Sequence, residues 1–371
     1  MIDKNTAEKN RSPAESQQAS ESQAPEGPDR APDFGCQATE SFGRILGELN
    51  LTLMLTSYQA NRLILVRSSG DDLHLSVKAF PRPMGLAVSQ DRMVMGIHSQ
   101  IIDFRRFDGV SKALEPQGLV KHCFTPRSSH FTGMVNVHDI AWGNDGLWAV
   151  NSNFSCLMQF QGSASFVPRW KPAFISELVP EDRCHLNGMA MKDGQPGYVT
   201  CFNDSDETKQ WRFHVKNRGL LIDVQQNKIL ADDLYMPHSP RFYRGQLYFC
   251  NSARGQLCRY DFETQTVKTE LELPGFTRGM AFYGDLLFIG LSEPRTSKNN
   301  NPPPVAEKEV ECGVCIVDIR QMEILGSLTF TGDMTQIYDV ALAALPFAEV
   351  LQPDESLVSQ IFEFPPLKAQ G

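Results

Sequence analysis

Five polar side chains stand at the heads of apolar segments that recur along the chain: His138, Asn187, His238, Arg278 and Tyr338. The segments they introduce read DIAW, GMAM, SPRF, GMAF and DVAL, and Met84 holds the same place before GLAV. The chemistry open to such a set is specific. His138 or His238 could act as a general base, since a free imidazole titrates near pH ~6.5. Asp139 could orient one of them. Arg278 could hold a carboxylate, sulfate or phosphate through two parallel hydrogen bonds. Asn187 and Tyr338 could donate to a carbonyl or a sugar hydroxyl. Ser239 and Asp339 stand one position further on, and Asn251 follows a second strand, so these three join the candidate ligand-binding set. A His/Asn/Asp set could also hold a metal, although the chain has no HxH or ExxH spacing. The serines lack a GxSxG setting, which argues against a serine hydrolase. The competing reading is that these side chains only cap strands by bonding orphan backbone groups.

The elements that must position this set are short strands. Residues 236–282 contain one full unit: strands over 239–243, 246–250, 256–260 and 267–273, with turns at Arg244-Gly245, Asn251-Ser252 and Pro274-Gly275. Four short strands separated by turn residues predict a propeller blade. Aligned inner strands start at Gly85, Asp139, Gly188, Ser239, Gly279 and Asp339, which are 54, 49, 51, 40 and 60 residues apart. A recurrence near fifty is a propeller period. Five of these strands are followed by three more, and the sixth is not. Three unassigned strands at 51–57, 62–67 and 73–80 supply the missing set. The prediction is an all-β, six-bladed β-propeller, closed by N-terminal strands pairing with a C-terminal inner strand. In that ring the heads of the inner strands meet at one mouth of the central channel. Residues after the second strands, among them His98, Asn151, Asn203 and Ser252, return to the same face. So do the loops carrying His122, His130 and His185.

Composition sets the outer bounds. The 371 residues are 41% apolar with a net charge of −9. That balance supports a sizeable core and argues against nucleic acid or an anionic membrane as partner. No apolar run approaches the ~18 residues of a membrane span, and the N-terminus lacks an apolar signal core. The nine cysteines are odd in number and scattered through apolar strands, as expected for reduced thiols in a cytoplasmic protein. Cys312 and Cys315 form a CxxC, but on a strand they face opposite ways. Residues 1–33 are almost free of apolar side chains and are expected to be disordered. Residues 34–50 should hold a short capping helix, with Phe42, Ile45, Leu46 and Leu49 on one face. The propeller should run over 51–345, and residues 346–371 should form a tail with a short helix at 356–362. Polar insertions at 204–218 and 293–311 interrupt two blades.

Several motifs occur in order: HLNGMAM, MPHSPRF, PGFTRGMAF, ECGVCIVDIR and IYDVAL. In these the chain resembles a largely bacterial family of uncharacterised propeller-like proteins, over about residues 51–345. The resemblance implies the fold and the grouping of the motif residues, with no activity attached. A weaker resemblance is to calcium-dependent lactonases of the gluconolactonase and paraoxonase type, in which an Asn-Gly pair opens an inner strand and the Asn faces the metal. Asn187-Gly188 matches, while Met84-Gly85 stands where those enzymes place an acidic ligand. The expectation is a polar pocket for a small polar or anionic molecule. A metal-dependent hydrolase and a protein-binding scaffold are the alternatives.

Overall fold

The computed structural model describes residues 31–70, 72–213, 216–295 and 302–364. The expectation of disorder for residues 1–33 falls almost wholly outside them. Six sheets make six blades, each built on four antiparallel strands. Blade one comprises Leu86–Val88, Arg92–Ile97, Gln100–Arg106 and His122–Phe131. Blade two comprises Val137–Gly143, Gly146–Asn151, Cys156–Gln159 and Val167–Trp170. Blade three has Leu186–Lys192, Gln195–Cys201, Gly219–Asp223 and Lys228–Leu234. Blade four has Pro237–Tyr243, Gln246–Asn251, Gln256–Asp261 and Thr266–Glu272. Blade five has Phe276–Tyr283, Leu286–Ser292, Gly313–Asp318 and Glu323–Phe330.

Blade six closes the ring as the strand count requires. Its inner strand, Asp339–Ala343, pairs with Thr52–Ser57, in register from Thr52–Ala343 to Thr56–Asp339. Arg62–Ser69 and Asp72–Ala79 complete it. Strands in the middle of a blade pack on both faces, as Thr52–Ser57 is buried at every position, its Thr52, Thr56 and Ser57 included. Outer strands such as Thr266–Glu272 are largely in contact with solvent. Among the described residues two hairpins turn on a residue pair with both φ positive, Asp193-Gly194 and Arg244-Gly245, the geometry that matches strand twist.

Two blades gain a fifth strand from a chain end. Cys36–Ala38 pairs with the outer strand of blade five, and Ala348–Val350 runs parallel to the outer strand of blade one. Both cover sheet edges that would otherwise be open. The tail is therefore part of the sheet system, ending in a 3-10 turn at Ser356–Gln360. Glu349 fixes it by a buried ion pair with Arg67, 2.9 Å apart, and by accepting from Ser76. The helix Glu40–Glu48 buries Phe42 and Leu46 between blades five and six. Among the described residues no helix is long and apolar enough to cross a membrane. In the insertion after residue 293, Val305 is buried and Lys308 pairs with Glu272 at 2.8 Å, while residues 296–301 lie outside the description.

Near the axis the blades approach closely, and the row after the inner-strand heads shows how. It alternates glycine with a hydrogen-bonding residue: Gly85, Asp139, Gly188, Ser239, Gly279, Asp339. Each non-glycine accepts a backbone N–H of the next blade. Asp139 takes that of Met189, Ser239 that of Gly279, and Asp339 that of Leu86, at 2.9–3.0 Å. The glycines stand where the neighbouring backbone leaves no room: a Cβ on Gly188 would lie 2.3 Å from Pro240 Cδ and 2.9 Å from the Ser239 nitrogen. Gly188→Ala is therefore expected to lower stability by about 1–3 kcal/mol, the usual cost of forced overpacking, measured by urea unfolding. An unchanged midpoint would mean that the ring can dilate.

Candidate functional site

Below the mouth the channel is plugged by Arg241. Its guanidinium reaches Asp139 at 2.7 Å and Asp339 at 3.6 Å, and it donates to the carbonyls of Met189 and Met280. It thus ties blade four to blades two, three, five and six. Burial alone would lower its pKa, but the two aspartates hold it above its ordinary value. The carboxyl pKa of Asp339 is raised as well: burial raises it, Arg241 opposes this and Asp139 adds to it. Asp139 consequently does not orient a histidine. Its carboxylate is occupied by Arg241 and by the N–H groups of Ile140 and Met189. The sequence carries a signal for Arg241 in the pattern of the inner strands. The position two beyond each glycine-row residue is alanine in five blades (Ala87, Ala141, Ala190, Ala281, Ala341) and arginine in one.

At the mouth itself the strand heads converge. The Arg278 guanidinium lies on the face of the Tyr338 ring, 3.6 Å from its centroid, a cation–π contact. Tyr338 meets His138 edge-on at 5.5 Å, His138 meets His185 at 4.8 Å, and His185 stacks against Trp211 at 4.1 Å. His238 packs between Phe202 and Phe276. Trp211, from the 204–218 insertion, lies over this side of the mouth and donates to Asp182 through its indole nitrogen. Asp182 also holds His185 Nδ1 at 2.9 Å. On the other side Arg295 lies over the Tyr58 ring, which packs edge-on against Tyr338.

Each histidine is fixed by one local device used twice. The residue two before it has positive φ, Asn136 and Met236 respectively, which turns its carbonyl onto the imidazole. His138 Nδ1 meets Asn136 O at 3.1 Å and Ser152 Oγ at 2.7 Å. His238 Nδ1 meets Met236 O at 3.0 Å and Ser252 Oγ at 2.9 Å. Among the described residues nothing bonds either Nε2. Arg278 differs from its neighbours: it is 9% exposed, yet apart from the Tyr338 side chain on which it lies no hydrogen bond or ion pair to its guanidinium occurs among the described residues. Burial lowers its pKa from the ordinary value, and Tyr338 and Asp339 offset part of this. The Tyr338 hydroxyl is also buried without a partner. Burial raises its pKa, so it stays a protonated donor.

Over residues 40–351 the chain matches the family described as a domain of unknown function, DUF4915. It belongs to that family. No curated protein matches it. Among solved structures it is similar to a chain of the nidogen/laminin complex, with 12% identity and a TM-score of 0.50, covering 79% of this chain and 98% of that one. A protein of unknown function from Bacteroides caccae matches with 8% identity and a TM-score of 0.49, covering 79% of this chain and 99% of that one. The first of these likenesses bears on the fold alone.

In this DUF4915 chain His138, His238, Arg278 and Tyr338 come together, as one register at the strand heads predicts, and His185 joins them from a loop. The remaining expected ligand contacts are engaged in holding the ring. Asn187 accepts from Thr200 at 2.8 Å and donates to the His185 carbonyl at 3.2 Å, so it caps its strand and does not face a metal. Ser239 accepts from Gly279, and Asn251 is bonded to Tyr235 N and Gln256. Asp339 bonds Leu86, Val340 and Arg241. Of the other histidines, His98 is exposed, His122 pairs with Asp108, and His130 bonds the Ser165 carbonyl away from the mouth. Among the described residues no group of three or more His, Cys, Asp or Glu converges as a metal site. A surface cleft of about 470 Å³ lies elsewhere, between Phe80, Ile102 and Pro353, and contains none of these side chains.

The two buried imidazoles make stability depend on pH. Burial holds both well below the free value. His185 and then Arg278 add to this at His138; Arg278 and then His185 add to it at His238. The unfolded chain protonates these rings near pH ~6.5, and the folded chain does not. The unfolded state therefore binds more protons as pH falls, so stability is full above ~6.5 and declines below it. Thermal melts between about pH 8 and pH 5 should show the decline, and His138→Asn and His238→Asn should each flatten it. A wild-type profile unchanged by either substitution would contradict the assignment.

Proposed function

We propose that this protein binds a small anionic molecule at the mouth of its channel, with Arg278 as the primary contact. The observation that carries this reading is the guanidinium itself: nine-tenths buried, stacked on Tyr338, and without an acidic or carbonyl partner. A buried charge normally has a counter-charge and hydrogen bonds. Asp139 and Asp339, the acids beneath it, are already committed to Arg241. An anion would supply what Arg278 lacks. Cations Arg82 and Arg295 also act on this mouth electrostatically, Arg82 on His138 and Arg295 on Tyr338. That field disfavours the metal-dependent hydrolase alternative. A reducing, cytoplasmic setting fits nine cysteines none of which is in a disulfide.

The test is a thermal-shift screen with sulfate, phosphate and simple carboxylates, since a ligand that binds only the folded form raises its melting temperature. Arg278→Ala is expected to weaken a responding anion by roughly ten- to a hundredfold, as a charged hydrogen bond contributes ~1.5–3 kcal/mol. The ligand-free variant should be as stable as wild type or more so, because an unpaired buried charge is gone. If Arg278 were only a strand cap, the variant would be less stable and no anion would respond in either protein.

A further inference from the structure

We infer that the anion recognised at this mouth also carries hydroxyl groups, a hydroxycarboxylate or polyol phosphate, with O–H groups donating to His138 Nε2 and His238 Nε2 beside the anionic group on Arg278. This rests on the proposed function and specifies its ligand.

The argument is one of donors and acceptors. A carbonyl oxygen can only accept, so the Asn136 and Met236 carbonyls require a proton on Nδ1 of His138 and His238. At His138 a second contact agrees. Ser152 Oγ donates its proton to the Leu186 carbonyl, so toward Nδ1 it can only accept. With Nδ1 protonated, a neutral imidazole presents a bare lone pair at Nε2. Burial and the neighbouring Arg278 keep both rings neutral. The mouth therefore presents two acceptors, the two Nε2 atoms, beside a donor, the Arg278 guanidinium. A bare carboxylate or sulfate matches only the guanidinium and would set its oxygens against the two lone pairs. A hydroxylated anion matches the guanidinium and both nitrogens. The aromatic walls, Phe202, Phe276 and Tyr338, present ring faces around these atoms.

Calorimetric titration of the full-length protein with matched pairs tests this: tartrate against succinate, glycerate against propionate, and glycerol phosphate against propyl phosphate. The third pair separates a phosphate from a carboxylate as the anionic group. The hydroxylated member of at least one pair should bind roughly tenfold more tightly, the effect of one matched hydrogen bond to an otherwise unpaired group. In His238→Phe, which keeps an aromatic ring between Phe202 and Phe276, that ratio should fall toward one. Nitrogen NMR of the wild type should show Nδ1 protonated and Nε2 bare at both histidines, so the inference stays testable if the variant does not fold. Equal binding within every pair, still dependent on Arg278, overturns this inference and leaves the anion reading standing. Protonated Nε2 at both rings also overturns it. No binding by any member overturns both.

Discussion

Arg241→Met is expected to destabilise the protein by about 3–5 kcal/mol, the cost of leaving buried charge without its partner. Asp139 and Asp339 come from blades two and six and meet only through this guanidinium. Both carboxylates are nearly sealed from solvent, with side-chain exposures of 6% and 5%. Without Arg241 two negative charges face each other in a narrow channel. The methionine fills part of the space and restores none of the charge. A signature separates this from simple loss of packing. The Asp339 carboxyl already has a raised pKa, and losing Arg241 raises it further. Its ionised form is thus the destabilising one, and protonation on acidification relieves the clash. The stability gap between variant and wild type should narrow as pH falls from alkaline values toward neutral, where Asp339 takes up its proton in the wild type as well. Urea unfolding at a series of pH values measures it, and a gap that does not change with pH would show that packing, and not charge, sets the cost.

Removing residues 339–371 should abolish cooperative folding. The segment contains the inner strand of blade six, whose partner Thr52–Ser57 is buried at every position. It also contains Asp339, which links to blade one and to Arg241, and Glu349, the partner of the almost wholly buried Arg67. Losing it exposes apolar surface of blades one, five and six and strands a buried charge. Those losses together exceed the ~5–15 kcal/mol that holds a typical domain folded. The truncated chain should be insoluble or melt without a cooperative transition, as followed by circular dichroism and calorimetry. A soluble truncation with a sharp melt would mean that the ring does not depend on this closure.

How far the sequence reaches can be seen at single residues. Residues 51–57 and Asp339 are nearly three hundred positions apart, yet their pairing follows from counting strands, because a blade lacking its inner strand and an inner strand lacking its blade satisfy each other's backbone hydrogen bonds. The clustering of His138, His238, Arg278 and Tyr338 follows in the same way from a shared register. These are consequences of local pattern and repetition, which a chain displays openly. The strand at Ala348–Val350 was not legible: three residues against an outer edge have no periodicity to reveal them.

The sequence by itself determined that this is a six-bladed ring, where its halves join, and which residues stand at the channel mouth. It also determined the alternation of glycine with Asp or Ser beneath that mouth. The tertiary structure decided which of those residues still have something to bind. Asp139, Asn187, Ser239, Asn251 and Asp339 look as chemically able as Arg278 when read in a row. Each of these five already has a hydrogen-bond partner, most from adjoining blades or strands, while the Arg278 guanidinium has only the Tyr338 side chain. The physical reason is that a hydrogen bond is spent by whichever partner lies within about 3 Å in the right direction. Direction here is set by positive-φ residues such as Asn136, Met236 and Ser239 and by the bulge between His238 and Arg241, which aims Arg241 at two aspartates of other blades while Arg278 is left on a tyrosine ring.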